Sequence, residues 1–468
     1  MSKRERPNIL FIMSDDHAAQ AMSCYDSEIN ETPNIDRIAE EGIRFDNCFC
    51  TNSICTPSRA TILTGKHSHL NGVLTLASDF DREQDHVGKE LQQAGYRTAV
   101  IGKWHLHTEP SGFDYYNVLP GQGLYHDPLL KEKGKEWQDH NEGGERYEGY
   151  VTDIITDLSI EWLEENAGED PFFLMCHHKA PHRPWDPDEE HAQMYEDEEI
   201  PQPETFEDDY ENRAEAAAAA TMRIERDLNQ RDLKREPPEG LSGAELKNWK
   251  YQRYIKDYLR CIASVDDNVG RLLDYLEESG LRRDTIVIYT SDQGFFLGEH
   301  GWFDKRFMYE ESLRMPFVVS YPQEIEPGSI NEEIALNLDF PETFLDYAGV
   351  NPPEEMQGRS LRPLLRGETP PDWRQSMYYR YWMHLAHHGV YAHYGLRTKR
   401  YKLIYYYADA LDVEGAIDEP KEPEWELFDL KKDPLEMNSV YEDAQYSEVL
   451  EELKGELERA KREAKDFR

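Results

Sequence analysis

Three short islands hold the residues of this chain best suited to chemistry. Asp15-Asp16 follows an apolar run at 8–13, Asp292-Gln293-Gly294 follows another that ends at Ser291, and Cys55-Thr56-Pro57-Ser58-Arg59 follows an aromatic-rich stretch at 45–49. Asp15, Asp16, Asp292 and the Gln293 amide form an all-oxygen set. Three carboxylates repel one another at close quarters unless a cation neutralises them. Hard oxygen donors favour Ca2+ or Mg2+ over Zn2+. Basic counterparts stand in two more clusters. In Gly102-Lys103-Trp104-His105-Leu106 the two-residue spacing puts the Lys103 ammonium and the His105 imidazole on one side of an extended segment, with His107 continuing the alternation as a weaker candidate. The other cluster is His177-His178-Lys179-Ala180-Pro181-His182. An isolated Asp-Asp pair is more often a turn or helix cap, and a lone histidine more often a core residue, so the clusters count together rather than singly.

What joins them is position. Residues 8–13, 97–101, 172–177 and 285–291 read as strands, and 35–41, 87–94, 150–166 and 255–279 as helices. Thr32-Pro33-Asn34 is a helix start and Gly42 and Gly95 are stops. This alternation predicts an α/β fold, a large mainly parallel sheet with helices on both faces. In such sheets ligand groups gather beyond the carboxyl ends of the strands. Asp15, Lys103, His177–His182 and Asp292 all fall there. Residues 186–250 read as a peripheral helical insertion near the cleft mouth. The chain changes character near Pro370-Pro371, which divides it into a catalytic domain, 1–370, and a smaller antiparallel sheet with a helix, 371–468.

Together these motifs resemble the sulfatase family, the formylglycine-dependent type I sulfatases of the alkaline phosphatase-like superfamily, from about residue 7 to the C-terminus. Thr64-Gly65 and Gly72 fit the family's extended signature. The resemblance implies that a formylglycine-generating maturation enzyme reads Cys-x-Pro-x-Arg and converts Cys55 to 3-oxoalanine, an aldehyde that hydrates to a gem-diol. On that resemblance one hydroxyl of the diol would attack sulfur and expel the alcohol, with the metal supplying positive charge, and the sulfated diol would collapse when the second hydroxyl loses its proton. It also implies a metal held by Asp15, Asp16, Asp292, Gln293 and the modified Cys55, most commonly Ca2+, with Gln293 departing from the Asn or His of many members. Arg59 would hold the diol and the carboxylates, Lys103 and Lys305 the sulfate, and His105 would take the diol proton. His182 would bind sulfate and protonate the leaving alcohol, with His178 as the fallback. Gln122, Arg380, His384, His387 and His388 lie in segments similar to those of bacterial and archaeal sulfatases that act on sulfated sugars, N-acetylglucosamine 6-sulfate first among them, and Arg183, next to His182, is a further candidate for substrate binding. Such residues suit hydrogen bonding to sugar hydroxyls, and equally suit packing of a domain interface. Phosphonate or phosphate monoester hydrolases of the same superfamily are the alternative. Lys103 and His105, typically replaced by uncharged groups there, favour a sulfate ester.

Bulk properties narrow the field further. With 94 acidic against 52 Lys and Arg residues, the formal net charge is −42. Such a surface repels nucleic acid and anionic lipid, and disfavours anionic substrates at low salt. A locally cationic site, and a salt-rich milieu that shortens the Debye length to ~3 Å at 1 M, would reconcile charge with substrate. No run of ~18 apolar residues predicts a membrane span. The basic start, Lys3-Arg4, leads into an apolar run of only five residues with no small-residue cleavage site, so the expectation is a cytoplasmic protein and not a signal peptide. The six cysteines show no disulfide-framework spacing. Sulfate release and unfolding midpoint, measured from low to molar KCl, should both hold or rise. Unfolding in molar salt would remove the salt-loving reading.

Overall fold

The computed structural model describes residues 6–468, so Lys3 and Arg4 lie outside the described residues. Asn8–Ser14, Phe172–His177, Thr285–Ser291 and Arg97–Lys103 are strands, each with its middle fully buried. They lie side by side and parallel, with Tyr115–Leu119 beyond Arg97–Lys103, inside a ten-stranded sheet whose outer strands are partly antiparallel. Side chains alternate across such a sheet. Ile9, Phe11 and Met13 enter one core with Val100, Met175 and Ile288, whereas Leu10 and Ile12 enter the other with Ile101, Leu174 and Val287. Because both faces are covered, the strands are apolar throughout and show no polar alternation. Helices Pro33–Glu40, Val151–Asn166 and Gly243–Glu278 contribute to the second core, and Cys55–Thr64, Val87–Gln93 and Phe340–Ala348 to the first.

Three local expectations change. The helix expected at 255–279 begins at Gly243, inside the proposed insertion. The rest of 186–250 is mostly turns, with short helices Glu215–Ala219, Ile224–Asp227 and Gln230–Leu233, so it is less helical than expected. Thr32 makes no side-chain cap on Pro33–Glu40. Asp266 of the long helix instead accepts from the Asn34 and Ile35 N–H groups at 3.1 and 2.8 Å, which fastens one helix to the start of another.

Four strands, Ser376–Tyr381, His393–Thr398, Tyr401–Tyr406 and Glu424–Asp429, form a separate antiparallel sheet. Helix Ser447–Glu463 packs on it through Leu453 and Leu457. Among the described residues no helix is long and apolar enough to cross a membrane.

The parallel register brings the loaded loops to one edge. Met13 pairs with both His177 and Thr290, and Gly102 with His177, so the chain leaves four strands at the same level. Gly102 is required there. At φ +100°, a Cβ would stand 2.0 Å from the His177 carbonyl oxygen. Gly102→Ala should cost about 2–4 kcal/mol in a denaturant titration and, by moving Lys103, reduce sulfate release as well. Unchanged stability would mean that the strand spacing is softer than argued.

Candidate active site

Cys55 opens the helix Cys55–Thr64, every residue of which is buried. Ile54 is extended, so the chain turns sharply into the helix at residue 55, and Pro57 sits in the first turn, where no N–H is needed. Arg59, one turn on, faces the same way. Its Nε donates to Asp292 Oδ2 at 3.0 Å, its Nη1 donates to the Lys103 carbonyl at 2.7 Å, and its Nη2 lies 3.8 Å from Asp15. One guanidinium thus joins three strand ends.

Asp15, Asp16, Asp292 and Gln293 are fully buried. The Asp16 N–H donates to Asp292 Oδ1 at 3.2 Å. Lys103 pairs with Asp15 and donates to Gln122 Oε1, Lys305 pairs with Asp16, and the Gln293 amide also donates to Asp16. Asp15 Oδ1, Asp16 Oδ2 and Gln293 Oε1 nonetheless have no hydrogen-bond partner. Three buried oxygens without donors, on three strand-end residues, are what a hard divalent cation needs, so these residues fit Ca2+ or Mg2+. His182 stands beside them, with its Nε2 4.0 Å from Asp16 Oδ2, and with Asp15 and Asp16 it forms a group spaced for a metal. Imidazole is a poor match to Ca2+, so His182 is better placed to face substrate. Three carboxylates against Arg59, Lys103 and Lys305 leave the inner site near neutral, and a divalent ion would make it positive.

Burial shapes the protonation. It holds the Asp16 carboxyl up at about 6, with Lys305 opposing and Asp292 and Asp304 adding to the rise. It pushes the Lys103 ammonium well below its usual range, aided by Lys179. It pulls Lys305 the same way, but Asp16 and Asp304 win and raise it. His105 and His182 are both pushed well below 6.5, first by burial and then by Lys103. The Cys55 thiol is raised chiefly by burial, with Lys305 and Arg59 opposing and Asp292 and Asp16 adding to the rise. A thiol so placed is not an activated thiolate.

Two histidines are oriented by single bonds. His182 Nδ1–H donates to the Arg183 carbonyl at 2.7 Å, leaving Nε2 to face the carboxylates. His105 Nδ1 lies 3.2 Å from Thr56 Oγ1, next to Cys55. The extended spacing expected for Lys103 and His105 ends at Lys103, because His105 and His107 both have positive φ. His105 reaches the site by a turn, while His107 stacks on His140 at 4.1 Å and pairs with Asp79.

A cleft of about 320 Å3 opens in front of Cys55. Lys305, His182, Gln122, Arg183, His387 and His388 line it. Three expected binding residues lie elsewhere. His178 packs 3.8 Å from Cys176 Sγ in the core. Arg380 is bound to Asp466 at 2.6 Å and lies over the Trp382 ring, fixing the C-terminal tail. His384 accepts from the Ala392 N–H and donates to the Glu419 carbonyl, bracing a loop. The cleft also contains residues to which the sequence assigned no role: Lys179 of the His177–His182 cluster, Asp304 and Arg306, and Asn229, Arg231 and Asp232 from the insertion. Arg306 is buried beside Asp304 at 3.3 Å, with its Nη1 unpartnered. Asp304 and Arg306 flank Lys305, and only that adjacency could have drawn attention to them. Five of the lining residues are cations (Lys179, Arg183, Arg231, Lys305 and Arg306) against the carboxylates of Asp232 and Asp304. The cleft is therefore locally positive on a chain of charge −42.

Fold and site together define a hydrolase of the alkaline phosphatase-like class. Residues 7–350 match the Sulfatase family profile, and residues 298–463 match the profile described as N-sulphoglucosamine sulphohydrolase, C-terminal. The chain belongs to the sulfatase family and is a sulfuric ester hydrolase. It is 46% identical over 507 aligned residues to the N-acetylglucosamine-6-O-sulfatase of Bacteroides thetaiotaomicron, covering 99% of this chain and 87% of that one. A solved structure of BT4656 in complex with its substrate D-glucosamine-2-N,6-O-disulfate superimposes with a TM-score of 0.92 at 46% identity, covering 99% of each chain. A phosphonate monoester hydrolase from Silicibacter pomeroyi shares the fold, with a TM-score of 0.78 over 99% of this chain and 96% of that one, at 21% identity.

The Asp16 shift sets a pH dependence for metal binding. Its carboxyl is at about 6 in the folded protein against 3.8 in an unfolded chain, so without a bound ion the folded state holds the extra proton between those values. Stability of the chelator-treated protein therefore falls as pH rises from about 4 to 6. A divalent ion must displace that proton at low pH. Calorimetry should show Ca2+ affinity about tenfold weaker at pH 5 than at pH 7, with proton release at pH 5 only. An affinity independent of pH would remove Asp16 from the ligand set.

Proposed function

We propose that this enzyme removes the 6-O-sulfate of glucosamine-type sugars through a 3-oxoalanine made from Cys55 by a formylglycine-generating enzyme. The observation that carries the reading is the convergence of Cys55, Arg59, Lys103, His182 and Lys305 on Asp15, Asp16 and Asp292, of which Asp15 and Asp16 each keep an unpartnered oxygen, in front of a positive cleft. The N-acetylglucosamine-6-O-sulfatase relative supports the sugar and the sulfate position. The raised Cys55 thiol supports conversion, since a neutral thiol would attack sulfur poorly.

Asp15, Asp16, Asp292 and Gln293 would hold the metal, Ca2+ or Mg2+, which when bound supplies positive charge to residue 55 and to the sulfate. The aldehyde, once formed and hydrated, supplies a hydroxyl nucleophile and a second hydroxyl whose loss of a proton frees the sulfate. The remaining work belongs to the side chains. Lys103 and Lys305 hold the sulfate oxygens, and Arg59 keeps the Cys55 helix in register with Asp292 and Lys103. Burial first, and then Lys103, keep His182 neutral in the free site; once the charge of the bound sulfate ester lets Nε2 take up a proton, Nε2 gives it to the leaving oxygen. His105, beside Thr56, takes the proton from residue 55. Arg306 offers an unpaired nitrogen to a sugar hydroxyl, and Asp304, held 3.2 Å from His388, offers a carboxylate oxygen. A cytoplasmic site of action is part of this reading, supported by the free state of all six cysteines.

Cys55→Ala should abolish sulfate release, and a tryptic peptide spanning Cys55 from active enzyme should show the thiol exchanged for an aldehyde. An active Cys55→Ala variant would end the proposal. Lys305→Ala should lower kcat by about 10²–10³. His182→Ala should cost about 10²–10⁴ on N-acetylglucosamine 6-sulfate and much less on 4-nitrophenyl sulfate, whose leaving group needs no proton. Equal losses on both would assign His182 to binding alone. Phenyl phosphonates should be turned over far more slowly than either sulfate ester.

A further inference from the structure

Two bases on the cleft wall lack an acid partner. Lys179 and Arg231 both line the cavity before Cys55, and their charges are close enough to oppose each other. Among the described residues, neither has a carboxylate oxygen within 4.0 Å. Their neighbours are paired: Lys305 with Asp16, Arg306 with Asp304 and Arg183 with Asp232. Both carboxylates of the cleft are thereby taken. A buried ammonium without a counter-ion is costly, so its retention at a cavity wall points to an anion supplied from outside.

The Lys179 side chain is held in place, and so is the backbone that carries the exposed Arg231. The Lys179 ammonium lies 4.5 Å over the Tyr125 ring, and the Tyr125 hydroxyl donates to the His182 carbonyl at 2.6 Å. Arg231 projects from Gln230–Leu233, whose start is fixed by the Asn229 side chain accepting from the Arg231 N–H at 2.9 Å and the Asp232 N–H at 3.3 Å. Asp232 in turn anchors Arg183 through two contacts. The insertion is thus tied to the His182 loop where it meets the cleft.

We propose that Lys179 and Arg231 form a second anion subsite, separate from the Lys103–Lys305 sulfate position, that takes a second sulfate on the same sugar. The proposal rests on the glucosamine 6-sulfate reading above and extends it to doubly sulfated substrates. The preference lies in binding, so it appears mainly in KM.

The test compares kcat/KM for glucosamine 2-N,6-O-disulfate and N-acetylglucosamine 6-sulfate in wild type, Arg231→Gln and Arg231→Lys. The wild type should prefer the disulfate by about tenfold, the scale of one charged hydrogen bond. Arg231→Gln should lose most of that ratio through KM, and Arg231→Lys should keep it. A wild-type ratio at or below one, or the same ratio in Arg231→Gln, overturns the subsite. A matching gain with a sugar carboxylate in place of the second sulfate would overturn the sulfate assignment. A second arm needs no sugar: inhibition of 4-nitrophenyl sulfate hydrolysis by 1,3-propanedisulfonate and by methanesulfonate. The disulfonate should bind better in wild type and lose that advantage in Arg231→Gln. If no glucosamine 6-sulfate is hydrolysed while 4-nitrophenyl sulfate is, the substrate reading fails. The disulfonate result then decides the subsite alone, and absence of any disulfonate advantage overturns it.

Discussion

The site depends on a balance of buried charge. Asp15, Asp16 and Asp292 meet beyond adjacent strands, and Arg59, Lys103 and Lys305 are threaded between them. Remove one cation and a carboxylate is left buried and uncompensated; remove one carboxylate and the same holds for a base. Much of the surrounding architecture serves this balance. The parallel register levels the strand ends, Gly102 lets two of them approach, and the Cys55 helix brings Arg59 across the gap. The sulfate chemistry proposed for this site would then need little more than a nucleophile at residue 55 and a proton donor at residue 182.

The cleft extends the same logic outward. A surface of net charge −42 would hold an anionic sugar away at low salt, yet the charged residues lining the cavity are mainly cations. Salt screens the distant acids over a Debye length but leaves close, partly buried contacts largely intact. High ionic strength therefore removes the obstacle without removing the attraction.

Much of this was legible in the sequence because strand ends are easy to see. Apolar runs broken by Asp15, Asp292 and the His177–His182 cluster mark both the sheet and its loaded edge, and Cys55 with Arg59 marks the helix that crosses it. Less was legible where the chain turns. His105 sits in a left-handed conformation that period-two reasoning does not anticipate, and Asp304 and Arg306, at the end of a two-residue strand and just past it, both have positive φ and no periodicity at all. Arg380 and His384 looked like sugar contacts, but their composition could not distinguish a cleft from a domain seam; they brace the tail and a loop. Asp266 capping another helix from a remote position is a tertiary event that no local window contains.

The burial of Cys55–Thr64 has a consequence for how the enzyme comes into being. Cys55 meets the cavity, but Pro57 and Arg59 are sealed beneath the strand ends. A modifying enzyme that must grip all three side chains has no purchase on the finished molecule. Under the proposed conversion of Cys55, oxidation would therefore come while this stretch is still an open strand of nascent polypeptide. Chains that collapse first would stay inert, and the fraction of competent molecules would be set during biosynthesis.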